Sequence, residues 1–438
     1  MLTTLRNALK IKDIRKRILY TFMMMVVVRL GSQLPIPGVN RGYFAQWFAS
    51  QQATGAFNFF SAFTGGSFEK MSIFALNITP YITSSIIIQL LTIAIPQLEE
   101  MQRDGADGRK KLQNITRFVT VGLALFESIA MVIGFGRSGL LQAVNFVNVM
   151  SVIVALTAGS AFLMWIGEQI TEKGVGNGIS IVLLINIISR LPQDLSALFN
   201  SYVFNKTIAK GTLAAIIIIA IIVLTIVLVI ILNDAVRKIP VQYAKKMQGR
   251  RLVGGQGTSI PLKVNTAGVI PVIFASSLMS IPQMIVAFLG KSPQGAGAVI
   301  VGMLNQNNWF NFQRPVYSVG MLLYIVLIIF FAYFYTSITF NPIEVADNLK
   351  KQGGFVPGIR PGKPTVEYLS KILGYIVFIG AIGLTIVVLI PIFFNGVFGA
   401  SVSFGGTSLI IIVGVILETL QSIESQMVVR NYKGFLSE

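Results

Sequence analysis

Residues 357–365 read PGIRPGKPT, where a lysine follows a glycine as it does in phosphate-binding loops. That chemistry needs the pattern GxxxxGK followed by Ser or Thr, so that backbone amides cradle the phosphate and a hydroxyl holds magnesium. Pro357 stands where the first glycine belongs and Pro364 where the hydroxyl belongs. The nucleotide reading fails. Thiolate and imidazole chemistry are excluded as well, because the chain has no cysteine and no histidine. Disulfides are absent with them, and so is the usual general base. Ionisable residues within apolar runs are few: Arg29 and Glu127, with Glu168, Glu172, Glu418 and Glu424 near run ends. Intramembrane carboxylates mark ion paths in transporters, but a lone Glu127 reads as an inward-facing, hydrogen-bonded residue. Neither a charge-selective path, a cofactor, a metal nor an enzyme activity is expected.

The composition sets the solvent. Hydrophobic residues make up 54% of the 438 and charged residues 12%, about half the share in soluble domains. Such a chain needs lipid around it. A helical span takes about 20 apolar residues. Ten runs are candidates: 18–36, 71–95, 115–137, 148–170, 178–191, 212–232, 268–289, 316–338, 370–394 and 406–428. The expected fold class is therefore an all-α polytopic membrane protein. Residues 1–17 are basic and amphipathic, and they predict a helix lying on the inner membrane face against anionic lipid. No small-residue cleavage site follows the first run, so no cleavable signal peptide is expected. With span ends counted, connections on one side carry 26 Lys and Arg and those on the other side 8. That bias predicts that both termini are cytoplasmic. Ten spans split into five plus five, and an odd number per half makes the second half start on the opposite side, as in an inverted repeat. The sequons at Asn77 and Asn114 fall in a span and on the cytoplasmic side, and are discounted.

Two basic connections, 233–267 and 339–371, are longer than topology requires. In the first, apolar and polar residues alternate around Ile239–Tyr243, predicting a β-hairpin closed at the Gly254–Gly255 turn. In the second, Pro357, Gly358, Pro361 and Gly362 flank Arg360 and predict that this arginine sits on a stiff turn. The organisation that follows is an N-terminal helix (1–17), a first half holding spans 1–5 (18–191), and an outer connection with span 6 (192–232). Then come the first basic loop (233–267), spans 7–8 (268–338), the second basic loop (339–371), spans 9–10 (372–428) and a tail (429–438).

One apolar segment stands outside all ten spans. Residues 57–66 read FNFFSAFTGG, too short to cross a bilayer and too apolar for an ordinary exposed loop. Residue types alone leave two readings open: an interfacial helix anchored by aromatics, or an element that docks within the protein.

NITPYITSSIIIQLL (77–91), GEQITEKGVGNGISI (167–181), QGRRLVGGQGTSIPLKVNTAGVIPVIFASS (248–277), NPIEVADNLKKQGGFVPGIRPGKPT (341–365) and FGGTSLII (404–411) resemble the SecY family. That family forms the channel subunit of the bacterial protein translocase, and the resemblance runs in order through nearly the whole chain. It implies two pseudo-symmetric five-helix halves around a central hourglass pore, braced by SecE- and SecG-like small subunits, with a side gate facing lipid. It also implies passage of unfolded preproteins, sideways release of apolar signal sequences, and drive from the SecA ATPase or the ribosome. The location implied is the bacterial inner (plasma) membrane.

The resemblance carries over residue by residue. Phe57, Asn58, Phe59, Phe60, Ser61, Ala62, Phe63, Thr64, Gly65 and Gly66, continuing to about Lys70, match the plug that closes the outer funnel. Full burial of one phenylalanine is worth about 1.5–3 kcal/mol, so four partly buried rings would hold the plug by several, with Gly65-Gly66 as its hinge. The pore ring falls on Ile82, Ile86, Ile179, Leu183, Ile273 and Ile411. The pairs 82/86 and 179/183 share a helix face at i,i+4, and an aliphatic ring makes a dry seal indifferent to substrate sequence. By the resemblance, Leu183 stands where some members carry isoleucine. The two basic loops match docking loops for SecA or for the ribosome and its RNA, through Arg250 and Arg251 in the first and Lys350, Lys351 and Arg360 in the second. A topogenic charge bias with anionic-lipid contact explains those charges but not loops of this length. The side gate would use Thr83, Thr92, Glu127 and Asn265.

Two other classes fit parts of the pattern. A secondary transporter of a small solute shares the span count but calls for broken helices around a polar midplane site. An intramembrane enzyme lacks His, Cys and an acid–base pair.

Overall fold

The computed structural model describes residues 6, 8–52, 64–136, 141, 145–204, 208–243, 246–248, 251–253, 258–289, 295–310, 314–398 and 406–434. Ten long helices fall on the ten apolar runs and keep their numbers. Spans 1 to 5 are Lys12–Gly31, Thr79–Ala94, Gly105–Phe135, Phe146–Lys173 and Gly178–Phe199. Spans 6 to 10 are Ile208–Asp234, Ile270–Leu289, Ser318–Thr339, Lys363–Phe398 and Gly406–Gly434.

Among the described residues, spans 3, 4, 5, 6, 8, 9 and 10 are each long and apolar enough to cross a membrane. Span 2 joins them when counted with the short helix Pro96–Arg103, set off by a 107° bend. The bend has a sequence cause. Pro96 disfavours helical backbone at Ile95, which is extended (φ −113°, ψ 112°), while proline suits the first position of the next helix. Span 1 falls short on charge, with Asp13, Arg15, Lys16 and Arg17 in its first turns and Arg29 in its last. Span 7 offers only the shorter apolar helix Ile270–Gln283.

Two boundaries differ from the sequence expectation. The chain bends at Ile11, and Lys12–Arg17 open span 1 instead of closing a separate surface helix. Residues 71–78, read as the start of span 2, are tight turns. Met71 and Asn77 are left-handed (φ 44° and 54°), and the Met71 carbonyl and Ile73 amide bond to Ile36 and Leu34, which pulls the chain out of helix until Thr79.

The neighbour pattern repeats between the halves. Span 4 packs on spans 1, 3 and 5, span 2 on span 3, and span 1 on span 5. Adding five to each number gives the second half: span 9 packs on spans 6, 8 and 10, span 7 on span 8, and span 6 on span 10. Five is odd, so the second unit enters the membrane from the opposite side and the repeat is inverted. The halves meet where span 3 packs on span 7 and spans 1 and 5 pack on span 10.

The two basic connections fold as one unit. Strand β1 (Val236–Tyr243) pairs antiparallel with β4 (Thr258–Lys263) on one edge and with β5 (Gly354–Phe355) on the other. Between β1 and β4, β2 (Lys246–Gln248) pairs with β3 (Arg251–Val253). In the inner pair Gln248 opposes Arg251, while Gly254–Gly255, where the sequence places the turn, lie outside the described residues. Beneath the strands, Ile239 and Leu262 of the first connection share a core with Ala346 and Val356 of the second and Leu369 and Ile376 of span 9.

Candidate functional site

The start of span 5 is fixed tightly. Asn177 Oδ1 accepts from the amides of Ile179 (3.1 Å) and Ser180 (3.5 Å), capping the helix. Thr171 Oγ1 of span 4 accepts from the Gly178 amide at 2.9 Å, and a side chain at 178 would collide with the Gly167 carbonyl. That close approach sets the phase of span 5, and with it Ile179 and Leu183.

Five of the six expected ring residues join one apolar cluster: Ile82, Ile179, Leu183, Ile273 and Ile411, from spans 2, 5, 7 and 10. Ile86 differs, packing on the neighbouring cluster that includes Val272, Phe274 and Ile410. One helical turn beyond Ile82, it reaches second-half residues directly.

A vestibule opens on this cluster. A cavity of about 720 Å³ is lined by Tyr81, Ile82, Gln89, Glu168, Glu172 and Ile179, among others. A second, of about 220 Å³, is lined by Asn233, Lys263, Asn265, Ile411 and Glu418, among others. Leu183, Ile270, Ile273 and Tyr335 line both, so the two adjoin, each walled by residues of both halves. Its rim is polar: Arg117 Nε donates to Glu168 Oε1 at 2.7 Å, Gln113 Nε2 to the same oxygen at 3.1 Å, and Lys263 Nζ to Gln421 Oε1 at 2.7 Å.

Of the expected plug, Phe57–Phe63 lie outside the described residues. Thr64 is fully buried, and Gly65 and Gly66 are left-handed (φ 59° and 80°). Of the expected hinge pair, Gly65 is wedged, whereas a Cβ at Gly66 would meet open space. A Cβ at Gly65 would lie 2.6 Å from the Asn186 carbonyl oxygen and 3.0 Å from Ser189 Oγ, and the Gly65 carbonyl accepts from Arg29 Nη1 at 3.5 Å. Glycine is required because the chain must lie directly on span 5. Just beyond, Glu69 pairs with Arg190 of span 5 (3.3 Å), which also bonds Asp194 (3.4 Å); the Arg190 side chain is 7% exposed. Phe68 sits edge-on to Phe44 and Phe48 of the helix Arg41–Gln52.

Among the expected docking residues, Arg360 is exposed on a turn held by Thr365, whose Oγ1 donates to the Arg360 carbonyl at 2.9 Å. Gly358 and Gly362 are left-handed on either side (φ 83° and 101°). Lys350 and Lys351, both exposed, end the helix Pro342–Lys351, capped by Asn341 through the Ile343 amide (3.1 Å). Arg251 opens β3, and Arg250 lies outside the described residues.

The expected gate residues are dispersed. Thr92 Oγ1 donates to Ile88 O of its own helix (2.7 Å) and Asn265 Nδ2 to Asn233 Oδ1 at the end of span 6 (2.7 Å). Glu127 Oε2 is buried with no partner among the described residues, and Thr83 is half-buried. No hydrogen bond among the described residues joins the four.

Sequence reasoning missed two bonded groups. Arg190 and Asp194 are visible at i,i+4, but Glu69 is 121 residues from its partner. The buried Asn77–Asn186 pair left no signal, since Asn77 was read as lying inside span 2.

Two like five-helix halves, a vestibule walled by both and an aliphatic cluster from four spans along its lining define a helical membrane channel. The chain matches the SecY family model over residues 72–420. It is 45% identical over 452 residues to a protein named protein translocase subunit SecY from Streptomyces scabiei, with all of both chains covered. In fold it is similar to a solved structure described as a protein conducting channel (TM-score 0.64, 17% identity, 95% of this chain and 93% of that one). It is also similar to Sec61 in a canine ribosome-channel complex from the endoplasmic reticulum (TM-score 0.59, 16% identity, 95% and 93%). This protein belongs to the SecY family.

Proposed function

We propose that the protein is the protein-conducting channel of a translocase, passing unfolded preproteins through the vestibule and releasing apolar segments sideways into lipid. The observation that carries the proposal is the vestibule of about 720 Å³ bordered by aliphatic side chains of spans 2, 5 and 7. An aliphatic ring seals against water and ions without reading substrate sequence. Ile82, Ile179, Leu183, Ile273 and Ile411 form the ring, with Ile86 at its edge, and residues 57–66 serve as plug on the outer side. The unit built by β1, β4, β5 and the helix Pro342–Lys351 presents Arg250, Arg251, Lys350, Lys351 and Arg360 to a cytoplasmic partner, SecA or the ribosome. A fold relative described in a ribosome-channel complex supports that assignment. SecE- and SecG-like subunits brace the halves in the inner membrane, with both termini cytoplasmic, and thermodynamic drive comes from the partners.

The test is reconstitution with a SecE-like subunit and SecA in vesicles. ATP-dependent protection of a preprotein from external protease supports the proposal. Uptake of a small solute with no preprotein protection would favour a solute carrier instead.

A further inference from the structure

Two buried amides lie on the far side of the ring from the vestibule. Asn186 of span 5 and Asn77, just before span 2, are 2% and 1% exposed, and Asn186 Nδ2 donates to Asn77 Oδ1 at 3.0 Å. Asn186 follows Leu183 by three residues on the same buried face of span 5. Asn77 is left-handed, a conformation asparagine tolerates far better than most residues. Its carbonyl also accepts from Ser160 Oγ of span 4 at 3.1 Å. The helix of span 2 begins two residues later, and the Ile82 amide donates to Ile78 O within the first turn (3.1 Å). The chain therefore reverses at Asn77, is fixed there to spans 4 and 5, and Ile82 takes its place from that point.

We propose that Asn77 and Asn186 are positioning residues of the pore seal, their bond setting the register of Ile82 against Ile179 and Leu183 in the closed channel. Apolar side chains would join these elements at less cost, because a buried amide must satisfy every polar atom and Asn186 Oδ1 has no hydrogen-bond partner among the described residues. A directional bond adds what apolar contact lacks, namely a single spacing. One buried asparagine fixes register in coiled coils in the same way.

The inference rests on the ring assignment above, so its test carries a ring control. Resting anion efflux and preprotein translocation are measured in vesicles holding the complete channel complex. The variants are Asn77→Gly, which keeps the left-handed backbone and removes the amide, Asn186→Leu, their double, and Leu183→Asn. Each single asparagine variant should raise efflux about fivefold, the factor expected for one lost hydrogen bond. The double should leak no more than either single, because the same bond is lost, while translocation falls less than twofold. Unaltered efflux, factors that multiply in the double, or translocation falling in step with the leak would each overturn the proposal. If Leu183→Asn leaks while the asparagine variants stay tight, positioning fails and the ring stands. If Leu183→Asn is also tight, the ring assignment has failed.

Discussion

Ile239→Ala tests whether the two long basic connections are one folded unit. Ile239 is 1% exposed in β1, opposite Ile260 of β4, in a core completed by Ala346, Val356, Leu369 and Ile376. Truncating a buried isoleucine to alanine costs about 2–5 kcal/mol, through lost transfer energy and the cavity left behind. The fragment of core that remains shares its contacts between both connections, so the loss falls on both. Local opening should become at least about thirtyfold more populated, since 2 kcal/mol corresponds to that factor. Hydrogen exchange by mass spectrometry reads it segment by segment. The expected result is faster exchange over 236–243 and 258–263 and, by a similar factor, over 354–359. Tryptic cleavage at Lys350 and Lys351 should accelerate alongside. Faster exchange confined to 236–263, with 354–360 unaltered, would refute the shared core and leave two independent loops.

Two further predictions follow from close contacts and caps. Gly159→Ala should lower the melting temperature of the purified channel, because a methyl group there collides with the Ile73 carbonyl, and backbone cannot rotate away; overpacking of this kind costs about 1–3 kcal/mol. Gly122→Ala, whose methyl would meet open space, should be neutral or slightly stabilising, and equal effects at the two sites would contradict the packing. Asn341→Ala should cost the helix Pro342–Lys351 about 1 kcal/mol by removing its cap, seen as roughly fivefold faster exchange over 342–351 with β1 and β4 unaffected.

The legible parts of the fold were those written in local pattern. Apolar runs marked all ten helices, because lipid demands a continuous apolar surface on each. Alternation around Ile239–Tyr243 marked β1, and the Pro-Gly frame of Arg360 marked a turn that Thr365 then ties. What escaped was set by partners distant in sequence. Ile73, Phe74, Ala75 and Leu76 are as apolar as a helix interior, so composition could not separate buried turns from the start of span 2. The left-handed backbone at Asn77 is selected by Ser160 and Asn186, 83 and 109 residues away. The i,i+4 spacing put Ile86 beside Ile82 on one face but could not say that the face passes from one apolar cluster to the next within a turn. Gly65 read as freedom and proved to be contact, since only the fold reveals the Asn186 carbonyl against it.

If a translocating polypeptide passes through the aliphatic ring, a thiol placed in the ring must meet it. The chain has no cysteine, so Ile82→Cys introduces a single thiol in the complex's channel subunit. A preprotein carrying one cysteine is stalled midway through translocation, and the vesicles are oxidised. Phe118→Cys, at a side chain 80% exposed on span 3, serves as the lipid-facing control. A disulfide at position 82 that requires the stalled chain, with none at 118, is the predicted result. Efficient crosslinking at 118 with none at 82 would place the path outside the ring.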